Sequence, residues 1–264
     1  MIIGVDMGAS AVKICALEGD AIVFTHYEHG RGGDIPALLA RLGLDAQGAE
    51  LIALTGLSAK NSGLEALGRP VKYIPEPESI GEGACWLTGR DNLIVASIGT
   101  GTAFVHAKGG RYIHLCGTGV GGGTLKGLAV KLLGLSDMRE FDRLAMRGDC
   151  GRVDLLIGDF VESYGILDPE ITASNLARLD PTATDADWAA GVANLVLQII
   201  GTMSLLACTS SGAAGVAVIG ALAGTEPSRA NFAKFQRVYG KDFLIPEHSA
   251  CATAIGAARR ARCV

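Results

Sequence analysis

The residues best suited to chemistry lie where short apolar runs stop at glycine. In GVDMGASAVKI, Asp6 closes an apolar run and is followed by Gly8, Ser10 and then Lys13 on the next run. A carboxylate at a strand end can hold hydrated Mg²⁺, and a turn of small residues lets backbone N–H groups face phosphate oxygens. A plain hairpin with a solvated aspartate fits the same residues. SIGTGTA (97–103) repeats the plan, with Thr100 and Gly101 in the turn. CGTGVGGGTLKGL (116–128) then places Thr118, Gly119, Gly121, Gly122 and Gly123 ahead of a helix-forming run. A helix start approached this closely is an anion site by its dipole and free N–H groups; the alternative is a flexible linker. EPESIGEG offers three carboxylates, Glu76, Glu78 and Glu82. Each suits proton transfer, and all three also suit an acidic first turn stabilised by the helix dipole.

The elements that must hold these residues follow from periodicity. Apolar runs at 1–6, 11–17 and 21–27, separated by turn residues, predict an antiparallel meander. A helix is expected at 34–42, strands at 51–55 and 93–97, and a helix at 78–87 between them. The second half is expected to run as a glycine loop (115–123), helices at 124–133 and 137–145 with Ser136 as cap, a long helix at 186–206, a strand at 216–219 and a closing helix at 250–262. A repeated plan of this kind predicts two α/β lobes with a cleft between them, divided into residues 1–115 and 116–264.

Composition narrows the class. The chain has 264 residues, 49% hydrophobic and 19% charged, with 37 glycines, enough apolar content for a substantial core. A net charge of −4, without a basic stripe, argues against nucleic acid as the ligand. The Arg259, Arg260, Arg262 cluster reads as a solvated helix end. Seven scattered cysteines, without a CxxC pair, fit a reducing cytosol. The opening MIIGVDMGAS lacks a basic n-region and does not read as a secretory signal. The apolar stretch 195–208 is shorter than a bilayer span, so no membrane partner is expected.

Taken together, the aspartate turn, the GTG turn, the glycine-rich helix start and the late VIGALAG resemble the acetate and sugar kinase, Hsp70 and actin superfamily. IGDF (157–160), ITASNLARL (171–179), SIGTG and GTGVGGG narrow the resemblance to the type II pantothenate kinases over nearly the whole chain. EPESIGEG is similar to that family's E-x-x-A-I-G-x-G-like pattern, which maps its catalytic glutamate onto Glu76. The resemblance implies two ribonuclease-H-like lobes around an ATP cleft and phosphorylation of pantothenate to 4'-phosphopantothenate, the first step of coenzyme A synthesis. It implies ATP and Mg²⁺ as cofactors and a cytoplasmic homodimer. Asp6 would serve the metal. Gly8, Ser10, Lys13, Gly119, Gly121, Gly122, Gly123 and Gly220 would serve ATP, and Thr100, Gly101, His114 and Thr118 the acceptor.

Two departures stand out. The family carries an arginine four residues before the threonine of the glycine loop, where this chain has His114, which cannot form a bidentate fork. The Asp6 turn reads MGAS in place of IGGT. The alternatives are a kinase of another small hydroxyl compound, a non-catalytic ATP-binding regulator, or an iron–sulfur activator of a 2-hydroxyacyl-CoA dehydratase. The last would need Cys116 and a second cysteine such as Cys150.

Overall fold

The structure is a computed structural model that describes all residues except 31, 32, 58, 60–62, 65–67, 162–167, 179 and 264; Leu179, the end of the ITASNLARL run, is thus outside the described residues. The chain begins with β1 (Ile2–Met7), β2 (Ala11–Glu18) and β3 (Ala21–His29), an antiparallel meander as expected. Helix α1 (Ile35–Arg41) starts where the Asp34 carboxylate accepts the Ala37 N–H at 3.0 Å. β4 (Leu51–Thr55) and β5 (Val71–Tyr73) then add in parallel beyond β1, giving the sheet order β3-β2-β1-β4-β5.

Helix α2 (Glu76–Thr88) leads out of this sheet into the meander β6 (Asn92–Ile98), β7 (Thr102–Lys108) and β8 (Arg111–Thr118). Helices α3 (Gly122–Leu133) and α4 (Met138–Ala145), the short strands β9 (Leu155–Leu156) and β10 (Thr172–Ser174) and helix α5 (Asp185–Ser211) follow. β11 (Gly215–Ile219), α6 (Glu226–Tyr239), β12 (Asp242–Leu244) and α7 (Ala252–Cys263) complete the chain. β11 and β12 extend the second sheet in parallel from β6, in the order β12-β11-β6-β7-β8. This is the first sheet's plan repeated, three antiparallel strands with two parallel additions beyond the first.

Several expectations are corrected. Residues 115–118 belong to strand β8, not to a loop, because Cys116, Gly117 and Thr118 pair with β7. The chain changes sheet along α2, between Tyr73 and Asn92, and not at residue 115. Helix α4 is capped by Asp137, whose carboxylate accepts the Arg139 N–H, and not by Ser136. β5, α6 and β12 were not anticipated. Helix α5, with 27 residues, is long and apolar enough to cross a membrane. Its Val192, Val196 and Ile200 are fully buried against Phe141, Phe232 and the second sheet.

The buried clusters show the layering. α1 covers the outer face of the first sheet, and α7 packs on its inner face. α2 packs on the inner face of the second sheet, whose outer face carries α3, α4, α5 and α6. The two inner helices meet through small residues. A Cβ on Gly83 would lie 2.0 Å from the Ala252 carbonyl oxygen, and one on Gly256 would lie 1.9 Å from the Ser79 carbonyl oxygen. Around this crossing the arginine cluster is engaged. Arg259 Nε donates to Glu82 at 3.2 Å, Arg260 Nε donates to Glu78 at 2.7 Å, and the Arg259 guanidinium stacks 4.4 Å from the Trp86 ring centroid. The reading of a solvated helix end is thereby corrected for Arg259 and Arg260.

Gly256→Ala is expected to cost about 2 kcal/mol or more, because backbone cannot recede as a flexible side chain does. That is a fall in Tm of about 4–8 °C in thermal denaturation. Gly127→Ala, in exposed α3 with open space around its Cβ position, is expected to raise stability by about 0.5–1 kcal/mol. Equal responses at both positions would refute the packing account.

Candidate active site

β1, β6 and β11 end at the same side of the molecule, and the candidate residues gather there. Asp6, near the end of β1, is 4% exposed, and its Oδ2 accepts from Lys13 Nζ at 3.0 Å. Burial pushes the Asp6 carboxyl up from its ordinary value, and Lys13 opposes that. A Cβ on Gly56 would lie 2.8 Å from Asp6 Oδ1, so only glycine lets the chain pass there. Thr55 pairs with Asp6 across the parallel strands, and its buried Oγ1 has no hydrogen-bond partner among the described residues. Thr55 and Gly56 were missed by sequence reading, although the run LIALTG, a strand entering glycine, carried the signal.

Glu76 is the first residue of α2, set between Pro75 and Pro77. It is half-buried, and its carboxyl is pushed up chiefly by that burial and next by the Asp6 charge, with Lys13 and His114 pulling the other way. These four groups therefore share one electrostatic neighbourhood. The rivals are otherwise occupied. Glu78 pairs with Arg260, and Glu82 takes both Arg259 and the Tyr112 hydroxyl. Glu76 alone of the three has no ion pair among the described residues.

The two strand-end turns meet across the cleft. Ser10 Oγ and Thr100 Oγ1 are 2.7 Å apart and exposed. The glycine loop differs from its expected role. Gly122 N–H donates to the Gly99 carbonyl and Gly123 N–H to the Thr100 carbonyl, each at 2.9 Å. A Cβ on Gly121 would sit 2.7 Å from the Gly101 carbonyl carbon, and one on Gly101 would sit 2.7 Å from the Thr118 oxygen. Thr102 Oγ1 donates to the Val120 carbonyl at 2.8 Å, and Thr118 Oγ1 accepts from Val120 N–H at 3.2 Å. Gly121–Gly123 are thus needed for the loop to lock onto the GTG turn, and the Gly122 and Gly123 N–H groups are not free for phosphate. Gly119 is exposed with open space at its Cβ position. Gly8 borders the Lys13 ammonium, 2.9 Å from where its Cβ would stand. Gly220 has φ +98° with the Ile98 carbonyl oxygen 2.2 Å from a Cβ position, and its N–H donates to Ser249.

The TASN run is bound to a buried carboxylate. Asp154 is fully buried and accepts from Asn194 Nδ2 at 2.7 Å, Leu176 N–H at 2.7 Å, Thr172 Oγ1 at 3.2 Å and Asn175 Nδ2 at 3.4 Å. This gives the motif a structural role, missed in the sequence because the acceptor precedes it by 18 residues or more. Cys116 is exposed on β8, and Cys150 lies in the helical turn after α4. No group of three or more His, Cys, Asp or Glu side chains suited to hold a metal occurs among the described residues.

Known proteins resemble this chain in sequence and in fold. A type II pantothenate kinase of Oceanobacillus iheyensis is 28% identical over 97% of this chain and 97% of its own. A type II pantothenate kinase of Staphylococcus saprophyticus is 32% identical over 49% of this chain and 51% of its own. Among solved structures, the activator of the 2-hydroxyisocaproyl-CoA dehydratase from Clostridium difficile, with bound ADPNP, superposes with a TM-score of 0.71 over 98% of this chain and 93% of its own, at 18% identity. That likeness establishes the shared two-lobed fold. The Fumble family model matches residues 92–241, from the first strand of the second sheet to the end of α6 and more than half of the chain; the protein belongs to the Fumble family.

Proposed function

We propose that this chain transfers the terminal phosphoryl group of MgATP to the primary hydroxyl of pantothenate. The observation that carries the reading is the convergence of a half-buried Glu76, free of ion pairs among the described residues, with the buried Asp6–Lys13 pair and His114. The names of the curated relatives supply the acceptor. Phosphoryl transfer asks little covalent chemistry of a protein, mainly positioning and charge stabilisation. Glu76 orients the acceptor hydroxyl and takes its proton, and its partial burial makes it a stronger base than a solvated carboxylate. Lys13 and the Ser10 and Thr100 hydroxyls bind phosphate oxygens: the two hydroxyls exchange their neutral bond to each other for charge-assisted ones, and Lys13, still held by Asp6, reaches phosphate with its remaining N–H donors. Gly8 and Gly119 leave room for the phosphates, while Gly101 and Thr118 shape the acceptor side beneath His114.

Asp6 is the residue to hold Mg²⁺. Lys13 occupies Oδ2 and leaves Oδ1, and Thr55 offers a hydroxyl on the neighbouring strand. One carboxylate with room for water and phosphate oxygens suits an ion that keeps several waters. Bound there, Mg²⁺ supplies neutralisation of phosphate charge. The reading also carries a cytoplasmic homodimer. The iron–sulfur activator is the second reading, kept for the exposed Cys116 on β8. An absorption spectrum of anaerobically purified protein separates them, since a cluster absorbs in the visible and a kinase does not.

Glu76→Gln is expected to keep ATP affinity and to lose about 10²-fold or more in kcat, the scale of general-base catalysis; near-normal turnover would sink the assignment. Because the Glu76 carboxyl is raised, it is ionised only above its shifted value. The acid limb of kcat/KM is thus expected above glutamate's ordinary 4.5, and the Gln variant should lack that limb.

Gly119→Val is expected to weaken ATP binding by about tenfold with Tm unchanged. Gly121→Val should instead lower Tm, its side chain meeting Gly101 backbone. Calorimetric titration with thermal denaturation reads both, and the reverse pattern would move the phosphates onto Gly121.

His114→Arg restores a permanent cation beside the acceptor carboxylate. His114 is exposed, so the added cation is expected to lower the pantothenate KM by several-fold and no more than about tenfold. An Arg variant no better than a wild type of ordinary affinity would mean that another residue holds the carboxylate.

A further inference from the structure

β8 is the outermost strand of the second sheet and, among the described residues, is paired in the sheet on one edge only, to β7. Its register with β7 shifts between Phe104 and Val105, so Leu115, immediately after His114, is the extra residue of a bulge. An edge strand with a bulge is poorly fixed by its own ladder. Something else must hold His114 in place.

Tyr112 is placed to do so. It pairs with Ala107 as His114 pairs with Val105, and both partners belong to the buried cluster formed with Ile80 and Ala84 of α2. Tyr112 and His114 thus share the strand face turned to α2. The Tyr112 ring lies against the α2 backbone at Gly81, where a Cβ would be 2.1 Å from its Cδ1. Its hydroxyl donates to Glu82 Oε2 at 2.7 Å, and Arg259 Nε holds the other oxygen of that carboxylate at 3.2 Å. Arg260, paired with Glu78, stands 5.8 Å from the ring centroid. The socket is therefore built by both inner helices. Gly81 is five residues along α2 from Glu76, about 7.5 Å of helix, and Tyr112 is two residues along β8 from His114.

We propose that Tyr112 is a positioning residue: wedged at Gly81 and bonded to Glu82, it fixes where the edge strand holds His114 relative to Glu76, and so sets acceptor affinity. The inference rests on the reading of His114 as an acceptor-side residue and of pantothenate as the acceptor. Neither the phosphate turns nor Lys13 depends on this contact, so acceptor and nucleotide respond differently. Glu78 and Glu82, which the resemblance leaves without a task, and the two glycines of EPESIGEG all serve the socket and the crossing beside it.

The test compares Tyr112→Phe, Tyr112→Leu, Tyr112→Ala and Gly81→Ala in the full chain, with steady-state kinetics on ATP and pantothenate and with NMR of the histidine imidazoles, five in the chain. Tyr112→Ala and Gly81→Ala are expected to raise the pantothenate KM about tenfold while the ATP KM stays within about twofold. Both should shift the His114 ring signals. Tyr112→Phe, which keeps the wedge and loses only the bond to Glu82, is expected to raise the pantothenate KM by less than Tyr112→Ala does. Joining Tyr112→Ala to Gly81→Ala should add little, because both remove the same contact. A purely structural role would lower kcat in step with the folded fraction and leave both KM values alone; that outcome, in Tyr112→Leu if the alanine variant unfolds, overturns the proposal. Unchanged His114 signals overturn it as well. A wild type inactive on pantothenate, with His114 signals still shifted by Tyr112→Ala, would refute the substrate reading and leave the positioning role standing.

Discussion

The contact of α2 with α7 is the constraint on which the rest depends. Each helix belongs to a different sheet, α7 to the first and α2 to the second, and their crossing is the meeting point of two copies of one topology. At Gly83 against Ala252, and Gly256 against Ser79, the backbones touch with no side chain between them. A helix pair joined in this way has few alternative packings, since interdigitating side chains can exchange rotamers and backbone cannot. The alanines of α7, Ala254, Ala257, Ala258 and Ala261, are all buried against the first sheet, so the same helix is small-sided on both flanks. Glu76 inherits its position from this arrangement. It sits at the cleft end of a helix whose other faces are fixed by α7, by the second sheet and by Tyr112.

Charge is distributed around the crossing so that one carboxylate stays available. Glu78 and Glu82 are matched by Arg260 and Arg259, and Asp6 by Lys13. Each pair is at least partly shielded, and removing one partner from such a pair would strand the other. Among the described residues Glu76 has no ion pair of its own, and the Asp6 charge bears on it. Its raised pKa follows from burial and a neighbouring anion, the two features that suit the proposed base.

Much of this was legible in the sequence. The first meander, α1, β4, β6, α3 and α5 follow from alternation or helical spacing, and the two-lobed fold from the repeated strand-and-glycine plan. The end of β8, residues 115–118, reads as loop because Gly117 and an exposed, bulged course mimic one; only pairing with β7 makes it strand. That single misreading also displaced the boundary to residue 115. α6 was legible and overlooked: Thr225 caps it, Pro227 stands in its first turn, and Phe232 and Phe235 are spaced as a buried stripe. The arginine cluster misled because charge near a chain end looks solvated, and nothing local announces that Glu78, Glu82 and Asp20 come to meet it.

The glycine loop is the instructive case. Glycine density at a helix start signals close backbone approach, but the sequence does not say whether a ligand or the chain itself makes the approach. Here the chain does, through the Gly99 and Thr100 carbonyls. The consequence reaches the ligand indirectly. A GTG turn clamped from behind presents Thr100 rigidly toward Ser10, and their hydroxyls bond across the cleft. A neutral hydrogen bond of this kind contributes about 0.5–1.5 kcal/mol, whereas a phosphate oxygen offers each hydroxyl a charge-assisted bond roughly twice as strong. Under the proposed function, that exchange is the one by which an anionic ligand is taken at the tips of both turns. Rigidity behind the turn, rather than free N–H groups at the helix start, is what makes the two hydroxyls a matched pair.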